Sequence, residues 1–151
     1  MSSRTLLRSA AVVYALFALG HTMGAMVGDT HRGGQQAEVF AAMRNYTFHV
    51  QGVTRSYWDF YRGFGFMVSV LLALTAVLCW VLGDMSRTHP REARRVLVVL
   101  TGAMALTTWF SFVDFFAAPM VFSAIAMLIL VCSVIALGRD STHSSLEGAI
   151  R

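Results

Sequence analysis

Four apolar runs limit what this chain can fold into. A helix that crosses a bilayer needs about 20 mostly apolar residues, and Leu6–Val27, Phe60–Leu82, Arg95–Phe116 and Ala118–Leu137 each qualify. The last two are nearly continuous. Asp114 and Pro119 mark the turn between them, because proline disfavours helix at the residue before it. Only 13% of the 151 residues are charged and 56% are hydrophobic, against about 25% charged in a soluble domain. Most of the surface must therefore face lipid. The expected fold is all-α, a four-span transmembrane helix bundle in one integral membrane domain, with a long extracytoplasmic loop between spans one and two.

The charged residues exclude several functions and suggest an orientation. There are twelve arginines and no lysine, which removes Schiff-base chemistry. The basic residues are spread along the chain without the clustered patch that nucleic acid requires. Cys79 and Cys132 both fall inside apolar runs and fit neither a disulfide framework nor a zinc site. Arg4 and Arg8 precede span one, Arg87, Arg91, Arg94 and Arg95 crowd the link between spans two and three, and Arg139 and Arg151 follow span four. With four spans, all lie on one side. By the positive-inside rule that side is the cytoplasm, so both termini are expected there, in the inner membrane. Arg4 and Arg8 before a short apolar core, with Ala18–Gly20 after it, resemble a signal peptide. The segment reads as a signal anchor.

The loop of residues 28–59 has internal pattern. Gln35–Asn45 reads as a short amphipathic helix with Val39, Phe40 and Met43 on one face. In the stretch that follows, Tyr46, Phe48 and Val50 alternate with Thr47, His49 and Gln51, which suits an extended segment with one side buried. Gly52 permits a bend. Together these suggest a lid across the outer mouth of the bundle. The tail, residues 139–151, is polar and expected to fray.

Polar groups inside spans are costly and are the functional candidates. Span one carries Tyr14, Phe17 and His21 on one face, beside Gly20, Gly24 and Gly28, a ridge for close helix packing or for a homo-oligomer. Span two opens with R-S-Y-W-D-F-Y-R-G-F-G-F, which places Asp59, Arg62, Phe66 and Ser69 on one stripe. Ser56 and Asp59 have the spacing of a capping box, and Arg62 could pair with Asp59 within the turn. Span three carries Thr107, Ser111 and Asp114, with Trp109 on another face. Asp114 sits at a helix C-terminus, where the dipole opposes its charge, so it needs a cation, a donor or water.

His21, Asp59, Arg62, Asp114 and Ser123 all fall in the outer half of the spans, below the lid with His49. Two carboxylates and a histidine in a partly dry site suit acid–base catalysis. The expectation is a small membrane enzyme, of isomerase, cyclase, dehydratase or epoxide-opening type, acting on a lipophilic or lipid substrate without a cofactor. His21, Asp59 and Asp114 would transfer protons. Arg55 and Arg62 would anchor the substrate, and Tyr57, Trp58, Tyr61, Tyr14, His49 and Trp109 would line the pocket. The alternatives are a non-catalytic lipid- or quinone-binding or accessory subunit, and a haem or metal protein using His21 and His49, for which no ligand motif is present.

G-H-T in the first span, followed by R-S-Y-W-D-F-Y-x-G-F-G before the second, resembles a pattern in small bacterial four-helix integral membrane proteins. The resemblance covers most of the chain and implies a four-span inner-membrane protein. It brings no activity with it. In outline the bundle is also similar to DoxX-like proteins and emopamil-binding-type sterol isomerases, a likeness of architecture only.

Overall fold

The computed structural model describes residues 2–27 and 33–150. Helix α1 (Ser3–His21) runs into a π-helical segment (Thr22–Val27), followed by α2 (Gln35–Asn45), strands β1 (Thr47–Val50) and β2 (Val53–Ser56), α3 (Tyr57–Thr88), α4 (Pro90–Asp114) and α5 (Ala117–Ile150). Four segments, Ser3–Gly24, Tyr57–Thr88, Pro90–Asp114 and Ala117–Arg139, are long and apolar enough to cross a membrane. Large apolar side chains such as Val99, Leu106 and Leu128 are exposed along them, as lipid-facing residues are. The fold is all-α, and it is that of a helical membrane protein. The chain divides into two compact units, one of Met1–Phe17 with Ala73–Arg151, the other Ala18–Leu72.

In the first unit α4 and α5 form an antiparallel pair. Leu97, Leu130 and Leu137 are fully buried, with Ala93 and Ala126 as the small residues among them. Thr108 near the end of α4 reaches the Ser123 carbonyl at 3.5 Å, and Arg94 near its start lies against Gly138. The start of α1 packs on the end of α3. A Cβ at Gly83 would lie 3.6 Å from the Arg4 carbonyl and Leu7, in ordinary van der Waals contact. Arg4 and Arg8 share one oxygen of Asp84, at 2.9 and 3.1 Å, and the Arg8 guanidinium lies over Trp80, 4.5 Å from the ring centre. Cys79 is buried and Cys132 is exposed, and neither is in a disulfide.

At three places the helices extend beyond the expected apolar spans. α4 begins at Pro90, not Arg95, with Pro90 in its first turn; a proline there has its φ already set and lacks a donor that would need a partner. α3 starts at Tyr57 rather than Phe60, directly after Ser56. α5 continues to Ile150 through the tail expected to fray, because extending a formed helix costs less than nucleating one and no proline interrupts it.

The connection between the first two spans carries the internal structure that its pattern suggested, and more. Residues 28–32 lie outside the described residues. After them α2 and an antiparallel β-hairpin occupy most of the connection. The hairpin pairs Phe48 with Arg55 and Val50 with Val53. Its two-residue turn has φ +49° at Gln51 and +82° at Gly52. Two positive φ values in succession are what a type I′ turn requires, and its twist matches that of the strands.

Candidate functional site

The second unit is organised around the first turns of α3. Ser56 caps the helix as its spacing suggested. Its N–H and Oγ–H both donate to Asp59 Oδ2, at 2.8 and 3.0 Å, and the Asp59 N–H donates back to Ser56 Oγ at 3.2 Å. This reciprocal arrangement satisfies donors that a helix start otherwise leaves open. Among the described residues Asp59 forms no ion pair with Arg62. The Arg62 guanidinium lies over Phe66 instead, 5.8 Å from its centre.

The aromatic residues of R-S-Y-W-D-F-Y divide between two flanks. Trp58 and Tyr61, one turn apart, stack at 5.3 Å and meet Phe40 of α2, while Arg44 lies over Trp58 at 4.2 Å. Tyr57 and Phe60 turn to the hairpin, where Phe48 meets them at 5.2 and 5.7 Å and Tyr46 stacks on Tyr57. Helical spacing sends 57, 60 and 64 to one side and 58 and 61 to the other. On α2, Phe40 and Met43 are half-buried and Val39 is exposed, so the packed face is narrower than the pattern suggested.

Between the hairpin and α3 lies an open groove of about 380 Å³. Val50, Val53 and Arg55 line it from the hairpin, and Phe60, Gly63, Phe64 and Met67 from the helix, with Asp59 beside them. The alternation in Tyr46, Phe48 and Val50 thus has no closed core beneath it: only Phe48 is half-buried, and Val50 lines the open groove. His49 projects from the opposite face of the hairpin, where its Nδ1 lies 3.4 Å from Thr54 Oγ1.

His21 has a different neighbourhood. Its Nδ1 is 3.0 Å from Ser69 Oγ, Thr22 Oγ1 donates to the same oxygen at 2.8 Å, and Ser69 Oγ reaches the Gly65 carbonyl at 3.3 Å. Thr22 opens the π-helical segment, a local widening that often accompanies functional sites. One turn along, Met26 seats directly on Gly65, where a Cβ would collide with its sulfur. A Cβ at Gly20 or Gly24 would meet nothing within 4 Å, so this part of the expected ridge packs against nothing among the described residues. Gly28 lies outside the described residues.

Tyr14, Trp109 and Asp114 belong to the other unit. Tyr14 is buried, Trp109 is exposed, and Asp114 is the exposed last residue of α4. The stripe leading to Asp114 satisfies itself: Thr107 donates to the Ala103 carbonyl at 3.2 Å and Ser111 to that of Thr107 at 2.9 Å. Such back-bonding is how hydroxyls are accommodated in an apolar helix. Among the described residues no three His, Cys, Asp or Glu side chains gather as a metal site requires.

The groove residues passed over as site members are Val50, Gln51, Val53, Gly63 and Met67. The available signal was Gly52 after the alternating run, which permits a turn but does not by itself announce the short β2 that brings Val53 opposite Val50. Comparison with protein families, curated proteins and solved structures gave no match.

Proposed function

We propose that this chain is a non-catalytic membrane protein that holds an amphiphile in the groove between the hairpin and α3. The observation that carries the proposal is the groove itself. Its walls are apolar on both sides, a guanidinium and a carboxylate stand on it, and its volume lies within the roughly 300–1,000 Å³ of small-molecule sites. The carboxylate that acid–base chemistry would use is already engaged in capping its own helix. With 32 residues, α3 is about 48 Å long, well beyond the roughly 30 Å of a bilayer core. Its aromatic first turns then suit the interface, where tyrosine and tryptophan concentrate. By the positive-inside rule, the arginines near Arg4 and Arg94 support termini in the cytoplasm of a bacterial inner membrane.

The test is photo-crosslinking in nanodiscs with a phospholipid carrying a photoreactive acyl chain. Adducts should concentrate on Val50, Val53 and the Phe60–Met67 turns. Equal labelling of the lipid-facing Val99, Leu106 and Leu128 would mean bulk lipid contact and would refute the proposal.

A second reading, acid–base catalysis at His21, draws on one observation. A histidine nitrogen and a serine hydroxyl stand within hydrogen-bond reach, as a base and a nucleophile do. Lipid extracts from cells producing the wild type and the His21→Ala variant decide it. A lipid species that changes with the wild type and not with the variant supports turnover; identical extracts reject it.

A further inference from the structure

We infer that the groove is built for the head of a zwitterionic, primary-amine phospholipid of the surrounding membrane, with the phosphate on Arg55 and the ammonium on Asp59. This rests on the amphiphile-binding reading above.

The first reason is charge. Arg55 and Asp59 line the same groove with opposite signs without forming an ion pair: among the described residues the ion pairs are those of Arg4 and Arg8 with Asp84. The second reason is what each group has left to offer. Arg55 uses Nη1 on the Thr54 carbonyl at 2.9 Å, and its Nε and Nη2 have no hydrogen-bond partner among the described residues. A guanidinium edge with two donors matches phosphate geometry. Asp59, which lines the groove, takes both Ser56 bonds on Oδ2, which leaves Oδ1 as an acceptor. The cap thus fixes the carboxylate in place and leaves half of it available.

The third reason is discrimination. A primary ammonium carries three N–H donors and can bond Oδ1 while the phosphate sits on Arg55. A quaternary ammonium has the charge but no donor. A phosphoglycerol head brings a negative charge with nothing to meet Asp59. The backbone fixes both anchors: Arg55 is paired across the hairpin with Phe48, and Asp59 lies in the first turn of α3. From there an acyl chain can run along Phe60, Phe64 and Met67.

The experiment uses the full chain in nanodiscs with three probes that share one photoreactive acyl chain and differ in head: phosphoethanolamine, phosphocholine and phosphoglycerol. The wild type should label at the groove with the ethanolamine lipid about tenfold more than with either other lipid, equivalent to about 1.4 kcal/mol. Asp59→Asn keeps a side-chain oxygen for the Ser56 N–H and should bring ethanolamine labelling down to the choline level. Arg55→Gln should lower labelling by all three lipids. Equal groove labelling by the three lipids in the wild type overturns the headgroup assignment and leaves the groove reading standing. Retained ethanolamine preference in a folded Asp59→Asn variant also overturns it. Labelling outside the groove only, with every head, removes the underlying reading as well. Should Asp59→Asn fail to fold, the wild-type comparison still decides.

Discussion

Gly63→Leu should empty the groove without harming the fold. Gly63 lines the groove from α3, and a Cβ built there meets nothing within 4 Å. A leucine side chain adds four carbons to that space. Burial contributes about 0.8 kcal/mol per methylene, so displacing four methylenes of a bound chain would cost the complex about 3 kcal/mol in an enclosed site. The groove is open on one side, which roughly halves the contact, to about 1.5 kcal/mol or about tenfold in affinity. The helix itself should gain, since leucine is favoured over glycine by about 0.8–1 kcal/mol in a helix interior. Labelling by a photoreactive phospholipid and thermal unfolding, measured on the same nanodisc sample, separate the two effects. Labelling of Val53 and Phe60 should fall about tenfold while the unfolding temperature holds or rises. Unchanged labelling in a folded variant would show that no chain lies along Gly63 and would refute the reasoning.

Other substitutions test the supporting structure. Gly65→Leu must displace the Met26 thioether; overpacking costs about 1–3 kcal/mol, offset in part by helix propensity and by the flexibility of Met26, so a net loss of up to about 2 kcal/mol is expected, and Met26→Ala should recover part of it in a double-mutant cycle. Ser69→Ala removes the oxygen shared by His21 and Thr22; polar contacts between membrane helices average about 0.6 and reach about 1.7 kcal/mol, and unfolding in detergent should show a loss in that range. Gly52→Val places a β-branched residue at φ +82°, which costs roughly 1–2 kcal/mol and should loosen the hairpin, read as faster amide exchange at Val50 and Val53.

Features that depend on the nearest few residues were legible in the sequence. The apolar runs specify helices by length alone. The Ser56–Asp59 spacing specifies its cap, and α2 has the bounds that its pattern suggested. The hairpin was half legible: β1 was visible in its alternation, but β2, Val-Thr-Arg-Ser, is too short to announce itself and merges into the start of α3. Helix ends were misplaced where arginines suggested a loop, because a charged residue can extend a helix beyond the apolar core at little cost. The groove was the least legible feature. It exists because Val50 and Val53 on the hairpin face Phe60, Gly63 and Phe64 on the helix, a relation set by the register and the type I′ turn. Polar stripes pointed elsewhere. Thr107 and Ser111 looked like a path toward Asp114, yet each hydroxyl is answered by its own helix.

Native mass spectrometry of the chain after progressive delipidation tests the central claim most directly. A groove that grips one amphiphile predicts a plateau at one retained phospholipid per chain, of ethanolamine type, which Gly63→Leu abolishes. Continuous loss to the bare chain with no plateau, or a plateau that Gly63→Leu leaves intact, would contradict the account.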